Sequence, residues 1–223
     1  MKISEIFYSI QGEGSLAGVP SVFVRTSDCN LRCVWCDTPY TSWNPEGDEL
    51  TLDGILEKVA AFQAGFAVVT GGEPMIAPGI VELTHRLRDQ GMHVTVETAG
   101  TVFAEVACDL ISVSPKLSNS TPPGRFAAQH ERLRIQPGIL SRLIATFDYQ
   151  LKFVIAKPDD VAEAVALAQQ LGADNRKVIL MPEGVDATVL RERSVWLAEI
   201  CKKQGFRYGP RLHVDLYGNR RGT

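Results

Sequence analysis

The sequence predicts an α/β fold, a partial, open (βα) barrel built around a mostly parallel sheet. Short runs of β-branched residues alternate with segments of helical periodicity, and repeated strand–helix units are typical of parallel sheets with right-handed crossovers. The 223 residues are enough for a single domain spanning 1–223, but they hold too few units for an eight-fold barrel. Hydrophobic residues make up 45% and charged residues 22%, which is the balance of an ordinary globular protein.

Seven strands and four helices are expected. The strands are predicted at 21–25, 66–70, 93–97, 110–113, 151–155, 178–180 and 212–216, and the helices at 52–62, 80–90, 159–171 and 189–203. Thr51 is a candidate N-cap for the first helix, and Gly91 and Gly172 are suitable caps after the second and third. Residues 42–49 and 118–137 show no clear period, so we expect a loop and an irregular insert there.

Charge and hydropathy argue against two classes of protein. A net charge of −3 and a pI of about 5.8 do not suit a protein that clamps nucleic acid, which usually carries a basic excess. No apolar run approaches the roughly 20 residues that cross a bilayer. Residues 1–9 include Glu5 and lack the pattern of a signal peptide. We therefore expect a cytoplasmic protein that binds neither nucleic acid nor a membrane.

Three of the five cysteines fall within eight residues, as Cys29-x-x-x-Cys33-x-x-Cys36. A disulfide framework favours an even number at wider spacing, so this cluster indicates a metal or iron–sulfur site in a reducing compartment. Thiolates suit a four-iron cluster, and with three cysteines instead of four one iron would stay open to a small ligand. A structural zinc site with a distant fourth ligand is the alternative. Cys108 and Cys201 are interpreted as small buried apolar residues.

The other chemically suggestive segments follow the predicted strands. Cys29 comes after the first core strand and Thr70-Gly71-Gly72-Glu73-Pro74 after the second. Glu97-Thr98 closes the third strand, and Ser114-Pro115-Lys116 follows the fourth. Because the carboxyl ends of parallel strands share one edge of the sheet, and chemistry gathers at that edge, we expect these segments to meet in one site.

The cysteine motif, with Trp35 before its last cysteine, resembles the radical S-adenosylmethionine superfamily, and Gly71-Gly72-Glu73-Pro74 resembles that superfamily's GGEP motif. Further segments are similar to the 7-carboxy-7-deazaguanine synthase family. They are Phe7-Tyr8-Ser9-Ile10-Gln11-Gly12-Glu13-Gly14, Gly18-Val19-Pro20, Cys36-Asp37-Thr38, Glu97-Thr98-Ala99-Gly100 and Ser114-Pro115-Lys116. The likeness runs from the first residues to about Lys116, and beyond it rests mainly on strand order.

The resemblance implies an activity and a set of cofactors. Members of the family convert 6-carboxy-5,6,7,8-tetrahydropterin to 7-carboxy-7-deazaguanine with loss of ammonia, a step toward queuosine. They use a 4Fe-4S cluster, S-adenosylmethionine that is regenerated after each turnover, and Mg2+. The resemblance also implies a homodimer that receives electrons from a donor such as flavodoxin or ferredoxin.

The resemblance assigns roles to individual residues as well. Cys29, Cys33 and Cys36 would hold the cluster, and Thr38 would give an oxygen to magnesium. The residues expected at S-adenosylmethionine are Trp35, Asp37, Gly72, Glu73, Ser114, Pro115 and Lys116. The residues expected at the substrate are Ile10, Gln11, Gly12, Glu13, Arg25, Thr70, Glu97, His213 and Thr223.

Several of these residues have a second interpretation. Arg25 ends an apolar strand, where an unpaired cation is costly, so its partner is either the substrate carboxylate or an internal carboxylate from Asp28 or Glu97. His213 lies in the last predicted strand, and a lone histidine on a strand is more often structural than functional. Thr38 is also suited to cap a turn before a proline, and Gly-Gly-Glu-Pro by itself is an ordinary turn.

Two rival functions fit part of the pattern. A glycyl-radical-enzyme activase uses the same cysteine spacing, but the polar stretch Gln11-Gly12-Glu13-Gly14 suits a small heterocycle better than a protein backbone. A zinc-stabilised binding module without catalysis accounts for the cysteines, yet it leaves the glycine-rich loop at a strand end unexplained.

Overall fold

The computed structural model describes all 223 residues and shows one nine-stranded sheet that does not close on itself. The strands lie in the order β3-β1-β2-β4-β5-β6-β7-β8-β9. They are β1 (Lys2–Ile10), β2 (Pro20–Thr26), β3 (Asp48–Glu49), β4 (Phe66–Gly71), β5 (His93–Thr98), β6 (Leu110–Val113), β7 (Tyr149–Ile155), β8 (Val178–Pro182) and β9 (Arg207–Tyr208). From β2 to β9 all neighbours are parallel, whereas β1 pairs antiparallel with both β2 and β3. The predicted open, mostly parallel α/β sheet is confirmed.

Seven α-helices connect and cover these strands. They are α1 (Leu52–Ala60), α2 (Ile80–Asp89), α3 (Ala127–Arg134), α4 (Pro137–Thr146), α5 (Asp160–Gln170), α6 (Ala187–Gln204) and α7 (Leu212–Tyr217). The hydroxyl of Thr51 accepts a hydrogen bond from the amide of Gly54, as expected of the N-cap of α1. Gly91 and Gly172 follow α2 and α5 with positive φ angles of 78° and 62°, which glycine adopts at little cost.

The alternation of side chains along β7 separates the core from the site. Leu151, Phe153 and Ile155 are fully buried in the main apolar cluster. Gln150 and Lys152, which point to the opposite face, are buried polar residues, and Lys152 lines the cavity. One strand therefore supplies both apolar packing and polar groups for a cavity.

Two sequence predictions about local structure are wrong, and strand β1 was missed. Residues 212–216 form helix α7 instead of a last strand, so His213 lies on a helix. The stretch 118–137 is not irregular throughout, because it contains two short 3-10 helices and α3. The antiparallel strand β1 was not predicted at all, although it lies in the interior of the sheet between β2 and β3.

No helix in the structure combines the length and the apolar character needed to cross a bilayer.

Candidate active site

One cavity of about 330 Å³ opens at the carboxyl-terminal edge of the parallel strands. The three clustered cysteines line one part of it, together with Gly71 and Gly72. Another part is lined by charged residues from several elements, among them Glu13, Arg25, Glu97, Lys152 and Arg211. The predicted meeting of strand-end segments is therefore seen, and the volume suits a small molecule.

The cysteine loop follows β2, and Cys29, Cys33 and Cys36 all face the cavity. All five cysteines of the chain are free thiols. Burial raises the pKa of the Cys29 and Cys33 thiols to about 12, so the surrounding protein does not by itself produce thiolates there. Binding of a metal would supply the missing stabilisation of the anions.

These thiols do not converge as the ligands of one ion would. No group of three or more His, Cys, Asp and Glu side chains in the structure is placed to hold a single metal ion. A structural zinc site needs four such ligands around one point. Three thiols on one cavity wall suit a larger cluster, in which each thiolate binds a different iron.

The segment after β6 holds the cysteine loop in place. The amide of Val34 donates to the carbonyl oxygen of Ser120 over 2.8 Å. The amide of Arg32 donates to Nδ1 of His130 over 3.1 Å, and the indole of Trp35 donates to the carbonyl oxygen of Asn119 over 2.9 Å. The insert that the sequence left unassigned therefore packs on the cysteine loop.

The glycine-rich loop after β4 lies directly against the start of the cysteine loop. A Cβ atom added at Gly72 would be 2.1 Å from the carbonyl oxygen of Asp28, which is a backbone atom. Gly71 has a φ of 145° and would place a Cβ 2.3 Å from the carbonyl oxygen of Thr26. Both positions require glycine because two backbone segments meet there.

Glu73 supports this loop from behind and does not line the cavity. It is fully buried, and its carboxylate accepts hydrogen bonds from the Thr98 hydroxyl at 2.7 Å and from the amides of Met75 and Ala99 at 3.0 and 2.8 Å. Burial raises the pKa of Glu73 although these donors favour its charged form. Glu73 thus joins the glycine-rich loop to the end of β5.

The segment after β6 contributes two polar groups to the cavity. The ammonium group of Lys116 donates to the Ser114 hydroxyl over 2.9 Å and lies 5.9 Å from the centre of the Trp35 ring. Ser114, Lys116 and Trp35 line the cavity, whereas Pro115 is buried and does not. Of the residues expected at S-adenosylmethionine, Pro115 and Glu73 are the two that do not line the cavity.

A chain of buried ion pairs crosses the charged part of the cavity. Lys152 forms ion pairs with Glu13 and, at 3.8 Å, with Glu97. Arg211 donates to Glu13 over 3.1 Å and forms a second ion pair with Asp37. The Thr70 hydroxyl donates to Glu97 over 2.8 Å. Alternating charges thus fix five side chains that come from distant parts of the sequence.

These contacts determine the protonation states. Burial by itself would raise the pKa of Glu13, but the nearby Lys152 and Arg211 outweigh it and hold this pKa well below its usual range. Burial likewise opposes the charge on Lys152, and Glu13 and Glu97 outweigh it, so the pKa of Lys152 is raised. Glu13 is therefore an anion and Lys152 a cation at neutral pH.

Arg25 lines the cavity, and its guanidinium is not fully paired within the protein. Its Nε is buried and forms no hydrogen bond. The nearest carboxylate belongs to Glu5, at 3.9 Å, and Glu5 also pairs with Arg221 at 2.7 Å. The two internal partners considered from the sequence, Asp28 and Glu97, are both wrong. Because no carboxylate lies closer than 3.9 Å, the Arg25 guanidinium can still pair with an anion in the cavity.

The loop after β1 meets helix α7 at Gly12. The amide of Leu212 donates to the carbonyl oxygen of Gly12 over 2.8 Å, and a Cβ at Gly12 would lie 1.8 Å from Nδ1 of His213. Gln11 donates to the hydroxyl of Ser21 over 3.0 Å, so part of its amide is used within the fold. Burial lowers the pKa of His213, which keeps the imidazole neutral at pH 7.

The remaining predicted residues also line the cavity, namely Ile10, Asp37, Thr38, Thr70 and Thr223. The Thr38 hydroxyl lies 3.8 Å from the sulfur of Cys36 and accepts a contact from Thr41 at 3.5 Å. Thr38 is also the N-cap position of a short 3-10 helix, but its side chain forms no capping hydrogen bond. The side-chain oxygen of Thr38 is therefore not used to cap this turn.

Sequence reasoning missed two residues of the site and a third that supports it. Lys152 and Arg211 neutralise its carboxylates, and Gln150 links the loop at Ser15 to Ser112 through bonds of 2.7 and 2.8 Å. The alternation of Gln150 and Lys152 with apolar residues in an interior strand was the available signal. Nothing local distinguished Arg211 from a surface arginine.

Comparison with known proteins agrees with this geometry. The family model of the Radical SAM superfamily matches residues 23–119, which span β2 to the segment after β6. The chain is 45% identical to a 7-carboxy-7-deazaguanine synthase of Rhodopirellula baltica, over 99% of this chain and 88% of that protein. It is 44% identical to a protein of the same name from Halobacterium salinarum, over 98% and 91% of the two chains.

A similar structure has been solved. The fold superposes on the crystal structure of QueE from Escherichia coli with a TM-score of 0.68 and 25% sequence identity, covering 93% of this chain and 92% of the other.

Proposed function

The chain belongs to the 7-carboxy-7-deazaguanine synthase family of radical S-adenosylmethionine enzymes, and on that premise we propose how its cavity carries out the reaction. The enzyme converts 6-carboxy-5,6,7,8-tetrahydropterin to 7-carboxy-7-deazaguanine with loss of ammonia, a step toward queuosine. One observation carries the assignment of roles. The same cavity is lined by three cysteines, by the backbone of the glycine-rich loop and by several buried charged side chains.

The cysteine end fits a 4Fe-4S cluster with one open iron. Cys29, Cys33 and Cys36 would hold it, and the insert that binds Val34 and Arg32 keeps their loop in place. When bound, the cluster and S-adenosylmethionine supply the 5′-deoxyadenosyl radical that removes a hydrogen atom from C6 of the substrate. The protein contributes orientation and the exclusion of water around that position.

The wall between the cysteines and the charges fits S-adenosylmethionine. Gly72 allows the backbone to approach the methionine end closely because it has no side chain. Glu73 acts through the loop that it holds and not by direct contact, since its carboxylate is used by Thr98, Met75 and Ala99. Ser114 and Lys116 offer a hydroxyl and a cation to the nucleoside or carboxylate, and Trp35 offers an apolar face.

The charged end fits the pterin. Glu13 and Glu97, fixed by Lys152, can accept hydrogen bonds from the amino and N–H groups of a guanidine-like ring edge. Arg25 lines the cavity, its nearest internal carboxylate is 3.9 Å away, and its guanidinium would pair with the substrate carboxylate. Thr38, which also lines the cavity, would provide a hard oxygen ligand. Magnesium would take this oxygen and others from substrate and water. A positioned carboxylate such as Glu97 would move protons during aromatisation.

We also infer the setting in which the enzyme works. A cluster held by free thiols requires a reducing compartment, which supports a cytoplasmic location. Turnover requires a one-electron donor such as flavodoxin or ferredoxin. The family is expected to act as a homodimer, and light scattering after size exclusion would report twice the chain mass of 24.4 kDa.

The test is anaerobic reconstitution with iron and sulfide, followed by dithionite, S-adenosylmethionine, magnesium and 6-carboxytetrahydropterin. We expect 7-carboxy-7-deazaguanine by mass spectrometry, without net consumption of S-adenosylmethionine. Cys33→Ala should abolish the cluster and the product. Cys201→Ala, at a buried thiol outside the cavity, is the matched control and should retain both. Cleavage of S-adenosylmethionine without deazaguanine would contradict the substrate assignment and leave the radical chemistry intact.

A further inference from the structure

A buried carboxylate lies between two arginines that both line the cavity. It belongs to Glu5 on β1, whose side chain is 8% exposed, and the arginines are Arg25 and Arg221. The Oε1 atom of Glu5 accepts a hydrogen bond from Nε of Arg221 over 2.7 Å. Its Oε2 atom lies 3.9 Å from Nε of Arg25, and both of these atoms are buried without a hydrogen bond. Glu5 is therefore bound to one arginine and held just out of reach of the other.

The gap between Glu5 and Arg25 is unexpected from their places in the sheet. Glu5 on β1 stands directly opposite Arg25 on β2 in the antiparallel register. Opposite charges in that arrangement attract each other and normally stabilise the sheet by pairing. Leaving a buried donor and a buried acceptor unbonded also costs free energy that a contact would recover. The gap must therefore be maintained by interactions elsewhere on one of the two side chains.

Arg221 supplies those interactions. Its guanidinium donates to Glu5 and, through a second nitrogen, to Glu46 over 3.0 Å. The guanidinium carbon lies 4.1 Å from the centre of the Tyr40 ring. Two carboxylates and an aromatic ring thus fix Arg221 in place although its side chain is 47% exposed. Without this arginine, nothing comparable would keep the Glu5 carboxylate from turning toward Arg25.

We propose that Arg221 is a positioning residue that determines which anion pairs with Arg25. By binding Glu5, Arg221 prevents an internal ion pair with Arg25 and leaves the Arg25 guanidinium available to the substrate carboxylate. In the absence of Arg221, Glu5 would occupy that guanidinium and repel the incoming carboxylate. The inference rests on the proposed function, in which Arg25 recognises this carboxylate, and extends it to a residue that acts through Glu5.

The first test is a crystal structure of Arg221→Gln, a variant that removes the charge of the half-exposed arginine. We expect Glu5 to move onto Arg25, with the distance between Oε2 and Nε falling from 3.9 Å to about 3.0 Å. A Glu5 carboxylate that stays 3.9 Å from Arg25 in this variant overturns the proposal. This measurement requires neither an active enzyme nor a bound substrate.

The second test compares two ligands by anaerobic calorimetry. The cluster-loaded enzyme is used with S-adenosylmethionine and magnesium but without a reductant, so that no turnover occurs. Arg221→Gln should bind 6-carboxytetrahydropterin about tenfold more weakly than wild type does, and 6-methyltetrahydropterin, which has no carboxylate, equally well. Adding Glu5→Gln to this variant should restore the binding of 6-carboxytetrahydropterin, because a neutral amide does not compete for Arg25. The matched control is Glu46→Gln, which removes the other carboxylate bound to Arg221 and should leave the binding of both pterins unchanged.

The two ligands also distinguish the proposed role from a purely structural one. Residues 219–223 line the cavity, so Arg221 could serve only to hold this segment in place. Loss of that role would weaken both pterins alike in Arg221→Gln, and this result overturns the proposal, as does a failure of Glu5→Gln to restore binding. If the wild type binds neither pterin, the proposed function is contradicted, while the crystal structure of Arg221→Gln still decides whether Arg221 keeps Glu5 from Arg25.

Discussion

The ammonium group of Lys152 forms a buried ion pair with the carboxylate of Glu13, which lies 139 positions away in the sequence. The same ammonium lies 3.8 Å from Glu97, so a single lysine from β7 neutralises two carboxylates of the cavity. Without it, two anions would stand near one another away from water, and one of them would take up a proton. Lys152 is therefore a positioning residue that keeps Glu13 and Glu97 able to accept hydrogen bonds.

Replacing Lys152 by Met keeps the length of the side chain and removes its charge. We expect the free energy of unfolding to fall by about 3 kcal/mol, because a buried charge pair loses one member. We also expect deazaguanine formation to fall at least about 100-fold, which a loss of 3 kcal/mol in substrate binding would produce. Urea unfolding and a product assay check the two effects. The control is Lys177→Met, which removes a half-exposed pair with Asp148 and should change stability by less than about 1 kcal/mol.

The pH dependence of this variant has a definite sign. The pKa of Glu13 is lower in the folded protein than its ordinary value of 4.5. Its contribution to stability is therefore complete above pH 4.5 and is lost as the pH falls through the folded value. The difference in unfolding free energy between wild type and Lys152→Met should be largest at neutral pH and should shrink below pH 4.5. A difference that stays constant down to pH 3 would contradict the coupling.

Replacing Arg25 by Met tests recognition of the substrate carboxylate. Folding should tolerate the change, because Glu5 keeps its 2.7 Å ion pair with Arg221. We expect the dissociation constant of 6-carboxytetrahydropterin to rise about 100-fold, since a charge-assisted hydrogen bond contributes about 1.5 to 3 kcal/mol. Equilibrium binding of 6-methyltetrahydropterin, which has no carboxylate, serves as the control and should be the same for both proteins. Equal weakening of both ligands would show that Arg25 only shapes the cavity.

Replacing Gly72 by Ala tests the contact between the two loops. The new Cβ would lie 2.1 Å from the carbonyl oxygen of Asp28, so backbone must move. We expect iron and sulfide content after reconstitution to fall to less than about half that of wild type, with a loss of roughly 2 kcal/mol in stability. Gly138→Ala is the control, because nothing lies within 4 Å of its Cβ position in α4, and alanine favours a helix. Full cluster content in Gly72→Ala would be evidence against the close approach.

Replacing His213 by Asn tests its neutral state. Burial lowers the pKa of His213 below the ordinary value of 6.5, so the unfolded chain binds a proton that the folded chain does not. Stability should consequently decline as the pH falls from about 6.5 toward the folded pKa. His213→Asn, which cannot titrate there, should show a smaller drop in thermal midpoint between pH 7 and 5.5. His130→Asn should remove a second, independent part of this pH-dependent loss of stability, because burial lowers the pKa of His130 too.

Local sequence patterns were sufficient for the parts of this protein that depend on short-range order. The three cysteines, the glycine-rich loop and the segment at Ser114 lie at strand ends because β-branched runs and turn residues mark those ends. The N-cap at Thr51 and the glycine caps follow from backbone geometry within four residues. Sequence alone thus predicted the parallel α/β sheet and the edge that carries the site.

Features that depend on long-range packing were decided only by the tertiary structure. His213 lies on α7 because the amide of Leu212 bonds to Gly12, 200 positions away, and no local pattern encodes that contact. Arg211 and Lys152 look like ordinary cations in the sequence, and only the fold brings both to Glu13. The unpaired Nε of Arg25 is also a product of packing. Residue spacing determines which chemistry this chain can hold, whereas the partners of its buried charges depend on distances in three dimensions, since Coulomb interactions act through space and not along the chain.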